Sequence, residues 1–583
     1  MFSRNGELIE KKFMQYLLST ILMSMALSLG TIVDGIIASN LLGTDSLGAI
    51  NTCQPIILIF GAIYSVFGVG GSTLAATALG AGRKNDANSY FTLAISALIF
   101  FGVLVTVIGI FAMDKMVELT TSGSSLGALA KDYLSVLVYG AIILFVVPGL
   151  SFFIRTDGKP VLAALILIVA NAVNLLSDIV YIKFLNFGIK GAALATLTGY
   201  FVGIFVSIPY FVSKTRFFHF YFKGLRIKQL GEIFLCGLPN AINSVLMTVK
   251  MLVLNRTAIA TLGDNGASAV AICNNCLSFA SIFIGGTAQT MLPIIGVLYG
   301  ENDRNGMISA VKKALKIVLI AGAIMIVCFE FFPTQISKLF NVETEELMAI
   351  SVMAVRLFGL SLPFFAIVYV FMSFYQGTGK RSLAITITVC EGLVFIVPFI
   401  FILNALIPDR GIGIWLSFVC TEICTLVLIF IMSKVVSART NKEGILLLDP
   451  ESDKTLDFSI KTTLENAVEI SKKISNFCRE NGVDNNRSDM AGLAVEEMVV
   501  NTIIYGYKNK SDENIDVFVG IQAQEIIIRI RDSGIPFNPL EFLPKEDEES
   551  IEYKIGGINI LKQMSHSSEY SRALGFNNLV IKI

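Results

Sequence analysis

Leu426-Val-Leu-Ile-Phe-Ile-Met-Ser-Lys434-Val-Val-Ser-Ala-Arg439 is the stretch in which this chain changes its solvent. Up to about Ile431, charges gather in short clusters between apolar stretches of ~20 residues or more, long enough to span a bilayer. After Lys434 the composition becomes that of a soluble domain and ends in strand-like segments such as Glu525–Ile530. Of the 583 residues, 54% are hydrophobic and only 15% charged, too apolar for one soluble domain. The expected fold class is therefore an α-helical polytopic membrane protein with a C-terminal α/β sandwich.

Working back from Lys434, about twelve spans can be placed. They lie near 13–38, 47–78, 90–113, 128–153, 161–185, 190–213, 237–262, 268–298, 314–337, 347–375, 383–405 and 411–436. The first is long and shows no small-residue cleavage site, so a cleavable signal peptide is not expected. Lys and Arg concentrate in alternate loops and at the termini: Arg4, Lys11, Lys12, Arg83, Lys84, Arg155, Lys159, Lys214, Arg304, Lys380, Arg381 and Lys434 among them. The opposite loops carry few, such as Lys115, Lys190 and Arg410. By the positive-inside bias, both termini are cytoplasmic in a multi-pass protein of the cell membrane. Cys273-Asn-Asn-Cys276 lies inside a span with no further soft ligands near it, so buried small apolar residues are the better reading than zinc.

Short patches recur about 220 residues apart. Leu42-Gly43-Thr44-Asp45 faces Leu262-Gly263-Asp264-Asn265. Leu79-Gly80-Ala81-Gly82-Arg83-Lys84 faces Tyr299-Gly300-Glu301-Asn302-Asp303-Arg304. Thr156-Asp157-Gly158-Lys159 faces Thr378-Gly379-Lys380. Their common offset implies a duplication into two bundles of six transmembrane helices each, twelve helices in all, with equal orientation and a central cavity between them. Gly377-Thr-Gly379-Lys380-Arg381-Ser382 imitates a P-loop, but Phe374 stands where the first glycine belongs, so an ATP-binding cassette is rejected.

Ionisable residues at mid-bilayer are costly and mark function by default. Asp34 lies well inside the first span and Asp178 toward the outer half of the fifth, with Asn174 one helical turn from Asp178. The repeat offset carries these acids onto Leu254 and Phe399, so the first half alone is expected to hold an ion site. A carboxyl in an apolar cavity loads a proton near neutral pH. Sodium could instead take oxygens of Asp34, Asp178, Asn174 and Thr196. Lys250, Arg356, Glu391 and Glu422 are further intramembrane charges, Lys250 being placed to pair with either Glu.

The repeat resembles the multidrug and toxic compound extrusion (MATE) transporters. It does so on Thr31-Ile-Val-Asp34 before Leu42-Gly43, Asn174-Leu-Leu-Ser-Asp178, Gly188-Ile-Lys-Gly191-Ala-Ala-Leu-Ala-Thr196 and Gly237-Leu-Pro239, over about residues 10–436. The resemblance implies that the Asp34 cluster couples ion entry to drug exit. Two departures stand out. Lys250 occupies the seventh span, where some branches carry a coupling Glu, and the first span lacks the proline many relatives use as a bend.

The tail reads strand (456–460), helix (about 462–480), helix (about 487–505), two strands (about 514–521 and 524–531), loop, helix (about 557–565) and two strands (about 568–573 and 577–582). Glu497 and Asn501 are four apart on one helix and point into one pocket. The Asn501 amide oxygen suits Mg²⁺, and Glu497 can take a proton from a nucleophile. Asp532 can accept from an adenine amino group while Gly534 permits close backbone approach. Gly556 and Gly557 open a helix whose free amides suit phosphate. In order and spacing these resemble the GHKL or Bergerat ATP-binding fold, closest the anti-sigma-factor serine kinases. Asn559 departs from the family's glycine box, and the run Lys545-Glu-Asp-Glu-Glu549 is expected to be a short lid.

Four regions follow: a first six-helix bundle (1–220), a second (221–437), a linker (438–454) and a histidine-kinase-like ATP-binding domain (455–583). The expected activity is H⁺- or Na⁺-coupled export of amphipathic, cationic drugs or metabolites, with a regulatory or Ser/Thr kinase tail using ATP and Mg²⁺. The expected partners are the lipid bilayer, a small organic substrate and a cytoplasmic serine-containing regulator, with no nucleic acid. The rivals are a membrane-anchored signalling kinase with a transporter-like sensor, and a flippase for lipid-linked precursors. A flippase calls for a strongly basic cavity, for which Lys250 and Arg356 are the only clear candidates.

Overall fold

The computed structural model describes residues 4–42, 44–121, 126–340, 342, 344–407, 409–450, 454–508, 510–522, 525–540 and 565–583. The first set of helices is α1 (Glu7–Leu42), α2 (Thr44–Gly80), α3 (Lys84–Thr121), α4 (Gly127–Tyr139) with α5 (Ala141–Thr156), α6 (Pro160–Asp178) and α7 (Ile189–Val212). The second is α8 (Ile227–Leu262), α9 (Asp264–Gly300), α10 (Arg304–Phe331) with short α11 (Pro333–Leu339), α12 (Glu345–Gly377), α13 (Arg381–Val389) with α14 (Ile396–Leu406), and α15 (Ile412–Thr440). Among the described residues ten helices are long and apolar enough to cross a membrane, eleven when α4 and α5 count as one span bent by 55°. The bend falls at Gly140.

The fifth span of each set contains a π-helical turn: Ile179–Phe184 directly after Asp178, and Cys390–Phe395 after α13. Such a turn adds a residue to the helical register and is common at functional positions. Sequence periodicity gives no sign of it.

At one end the two sets meet without room for a side chain. A Cβ on Gly237 of α8 would lie 2.1 Å from the Val66 carbonyl oxygen of α2, and one on Gly300 of α9 2.1 Å from that of Thr77. From this seam a cavity runs between the sets. Its narrow part, about 220 Å³, is lined by residues of both sets, including Ser24, Phe152, Arg155, Asn240 and Gln376. Its wider part, about 450 Å³, shares Tyr64, Ser65, Tyr200 and Ser244 with the narrow part and reaches Gln54, Tyr133 and Asn171, away from the seam.

The tail forms β1 (Thr455–Lys461), α16 (Leu464–Glu480), α17 (Asn485–Asn501), β2 (Asn514–Gln522), β3 (Glu525–Asp532), β4 (Ser567–Ala573) and β5 (Phe576–Lys582). The sheet is antiparallel with order β1-β2-β3-β5-β4. Period-two alternation sorts its two faces. Phe458, Ile460, Val517, Val519, Ile528, Ile530 and Ile581 pack with α16 and α17 in the tail's own core. The opposite face carries Asp457, Ser459, Asp516, Arg529, Arg531 and Asn578 across adjoining strands. That face lies on the helical bundle. The residues joining bundle to tail are also seated: Leu447 and Leu448 are buried, Tyr375 Oη donates to the Ile445 carbonyl (2.6 Å), and Lys380 Nζ to that of Leu446 (3.1 Å).

Candidate functional site

Polar residues gather in three places, the first being the membrane part, which holds two groups. Asn174 and Asp178 are buried on α6, and Asn174 Nδ2 donates to Thr196 Oγ1 of α7 at 3.4 Å. Asn174 and Thr196 also line the wider part of the cavity. Of the four residues expected to bind the coupling ion, the structure thus pairs Asn174 with Thr196 and sets Asp178 one helical turn from Asn174 on the same helix. Asp34 is on α1, which packs against α6, but its side chain lies outside the described residues.

In the second set Lys250 Nζ stands 3.8 Å from Glu391 Oε1 and over the Phe418 ring, and Glu422 is buried behind. The expected pairing of Lys250 is therefore with Glu391, which sits in the π-helical turn. A further pocket of about 130 Å³, lined by the pair itself with Met247, Phe358, Phe365 and Phe418, adjoins the narrow part of the cavity at Asn243 and Tyr369. Arg356 is half-exposed and pairs with Glu330 at 3.6 Å, so it adds no charge to the cavity. Arg155, counted from the sequence as a loop charge, is instead buried in the last turn of α5 and lines the narrow part of the cavity. The signal available was its position, one residue inside the turn Thr156-Asp157-Gly158.

In the tail, helix α17 places Glu497 and Asn501 one turn apart, and Asn501 Nδ2 donates to Glu497 Oε1 at 3.1 Å. A π-helical turn, Thr502–Gly506, follows at once. Burial pushes the half-buried Glu497 carboxyl up, opposed by the Asn501 hydrogen bond. Asp532 ends β3 with the parity of Ile530, so it faces the helices while Arg531 faces the bundle. Its Oδ1 accepts from Asn577 Nδ2 (2.8 Å) and from the Gly534 amide (2.7 Å). Burial raises its carboxyl to about 6 against these bonds. A Cβ on Gly534 would lie 2.6 Å from the Gly506 carbonyl oxygen, so glycine is needed there for chain packing as well. Gly556, Gly557, Asn559 and the expected lid 545–549 lie outside the described residues.

The third place lies between tail and bundle, where no local pattern of residues marks it. Arg4, ahead of α1, binds Asp303 (2.8 Å), Asp457 (3.1 Å) and Asp516 (3.2 Å). Arg531 pairs with Asp303 and Glu301, and Arg529 donates to the Glu301 carbonyl at 2.6 Å. All of these side chains are buried or nearly so. Burial alone would push the Asp303 carboxyl up, but Arg4 and Arg529 hold it below its ordinary range. Asp516 stays raised by burial, with Arg4 opposing. At the other edge of the sheet, the β4–β5 hairpin turns at Leu574-Gly575, both with positive φ, as a two-residue type I′ turn demands. Its tip meets the first set: Leu574 and Phe576 are buried in the bundle's core, and Lys84 Nζ donates to the Tyr570 carbonyl at 3.2 Å. A Cβ on Gly158 would lie 2.7 Å from the Gly575 amide. The turns touched by the tail and its connecting segment are 79–84, 156–159, 299–304 and 378–380, the repeat-related patches of the two halves.

Comparison with known proteins agrees with this architecture. The MatE family model matches residues 19–180 and 239–402, and a histidine kinase-like ATPase domain matches 460–583. The multidrug export protein MepA of Staphylococcus haemolyticus is 27% identical over 419 residues, covering 70% of this chain and 90% of the relative. MepA of Staphylococcus aureus strain MRSA252 is 25% identical over 393 residues, covering 66% and 85%. A solved MATE family transporter of the MOP superfamily, in its outward-facing conformation, superposes with a TM-score of 0.70 at 23% identity. It covers 75% of this chain and 99% of that one, and shares its fold.

Proposed function

The chain belongs to the MatE family and carries a C-terminal histidine kinase-like ATPase domain, and from this premise we propose a cation-coupled antiporter. It exports amphipathic organic compounds, and a cytoplasmic ATP-binding tail regulates it. The observation that carries the transport half is the Asn174–Thr196 hydrogen bond at the cavity wall with Asp178 buried one helical turn from Asn174, a group the second set lacks. With Asp34 it takes up H⁺ or Na⁺ from one side and releases it when the cavity changes sides. Both termini are cytoplasmic, so the tail meets ATP. The working units are 1–220, 221–437 and 455–583, with 438–454 between them.

In the tail, Asn501 holds Mg²⁺ on the phosphates, Asp532 and Gly534 hold the adenine, and Gly556 and Gly557 cradle phosphate. Glu497 is the proton acceptor for slow hydrolysis, or for transfer to a serine of a partner protein. Regulation follows from where the tail sits. It rests on turns of both sets, at the end where α2, α8 and α9 close the cavity. Opening that end requires those turns to separate, and a docked tail opposes it. Nucleotide binding beside β3 bears on the same strand that holds Arg529 and Arg531. The test is dye export, read as uptake into inverted vesicles, under imposed pH or Na⁺ gradients, with and without ATP. Gradient-driven efflux that ATP alters is expected. No efflux under either gradient would refute the antiporter, and efflux indifferent to ATP would refute regulation by the tail. A lipid-linked precursor flippase is the second reading, favoured by the positive charge of Arg155 in the cavity.

A further inference from the structure

The cavity between the sets holds one charge that neither the ion group nor the tail uses. Arg155 is 4% exposed, and its Nε and Nη1 are buried without a hydrogen-bond partner. The Phe152 ring lies beside its guanidinium, 5.2 Å from the centroid. The remaining described lining is neutral: Ser24, Asn240, Gln289 and Ser373 offer hydroxyl and amide groups, and Tyr64 and Tyr369 aromatic surface. Among the described residues no other Lys, Arg or His and no Asp or Glu lines either part of the cavity, and the pocket adjoining it at Asn243 and Tyr369 adds only the Lys250–Glu391 pair, whose charges face each other.

A buried guanidinium without a counter-charge costs free energy, so a structure retains one where something negative visits it. Arg155 is the last-turn cation of α5, and a helix C-terminus favours positive charge. That alone does not call for a buried arginine facing a cavity. The repeat gives an internal control. The Gly158 amide donates to the Arg155 carbonyl as the Gly379 amide does to that of Gln376, so Arg155 corresponds to Gln376, and the second turn forms with a neutral side chain there, its Nε2 bonded to the Cys236 carbonyl at 2.8 Å.

We propose that Arg155 binds an anionic oxyacid group, carboxylate or phosphate, on the transported molecule. The guanidinium fork matches the two oxygens of such a group, which a lysine point charge does not. The acid end of an amphipath then sits in the narrow part, and its apolar body runs past Tyr64 toward the wider part. This rests on the exporter reading and narrows it to substrates with an acidic group, in place of the cationic ones expected from the sequence.

The test uses the full chain in detergent and a fluorescein-type carboxylate dye beside its methyl ester, with affinity read by fluorescence anisotropy. The wild type is expected to bind the acid at least about tenfold more tightly than the ester, the scale of a charge-assisted hydrogen bond. Arg155→Gln should lower affinity for the acid by about ten- to a hundredfold and leave the ester unchanged, with Arg155→Lys between. Equal affinity of the wild type for acid and ester overturns the proposal even if the variants fail to fold, and so does undiminished acid binding by a folded Arg155→Gln. Displacement of the dye by hexanoate assigns the site to a carboxylate, and stronger displacement by dihexanoylphosphatidic acid to a lipid phosphate. Displacement by neither overturns it. Transport of the carboxylate dye and of ethidium into inverted vesicles is followed separately. Acid binding through Arg155 in a protein that exports nothing would leave this site standing and remove the exporter reading.

Discussion

At the scale of single residues, roles divide by what the side chain can hold. Asp34→Asn and Asp178→Asn keep shape but lose a titratable charge, so each should abolish or strongly weaken gradient-driven efflux at normal membrane expression. Both variants pumping against a gradient would remove the first-set ion site. In the tail, Asn501→Ala and Asp532→Ala should each eliminate ATP binding by the full chain, measured calorimetrically with Mg²⁺. Glu497→Gln should bind ATP yet lose about 10²–10⁴-fold in turnover. Asp532 adds a pH dependence. Its folded-state value of about 6 lies above the ordinary 3.8, so the fold holds that proton more tightly than the unfolded chain does. The stability it contributes is full below the ordinary value and lost as pH rises through about 6. ATP needs the opposite state, the carboxylate that accepts from adenine. Affinity should therefore fall several-fold between pH 7.5 and 5.5, and a flat titration would show that Asp532 does not bear on the base.

At the scale of elements, the α2–α8 contact decides whether one end of the cavity can close. Gly237→Ala puts a Cβ 2.1 Å from the Val66 carbonyl and 2.5 Å from the Val66 Cα. Neither can move without moving α2. Overpacking of this kind costs about 1–3 kcal/mol or more and forces the helices apart. Gly231, on the same helix, has no atom within 4 Å of its Cβ position. Gly231→Ala should be neutral or stabilising by up to about 1 kcal/mol through helix propensity, and Gly237→Ala should lower the melting temperature and abolish efflux. Equal behaviour of the two would mean the seam is not close-packed in the working protein.

At the scale of the whole molecule, the tail is held by a buried charge cluster rather than by its own core. Arg531→Ala strips Glu301 and Asp303 of a buried partner. Breaking such a pair costs about 3–5 kcal/mol, borne here by the docked arrangement. The tail's core with α16 and α17 does not include Arg531. The variant should therefore fold and bind ATP but release the tail, so that the connecting segment 441–454 is cut faster in limited proteolysis. Unchanged protection of that segment would show that the cluster does not hold the tail down.

Legible in the chain alone were the solvent of each segment, the repeated loop patches, and the order of motifs in the tail. Each of these is written in local composition or in fixed spacing. Long apolar runs with charges at their ends can only be helices in lipid. Period-two alternation in β1, β2, β3 and β5 gave strands within a residue or two of those observed. Helical spacing placed Asn174 with Asp178, and Glu497 with Asn501, because residues four apart share a helix face. The rest came from contacts between distant segments. Arg155 reads as one more loop cation until α5 is seen to carry it into the cavity wall. The second face of the tail sheet, rich in Asp and Arg, reads as solvated until Arg4, Glu301 and Asp303 are brought to it. The partners are separated by 228 residues for Arg531 and Asp303, and by 299 for Arg4 and Asp303. A charge pattern states that a group needs a partner, water or protein. Which of the two it gets depends on contacts between distant segments, and no local signal encodes them.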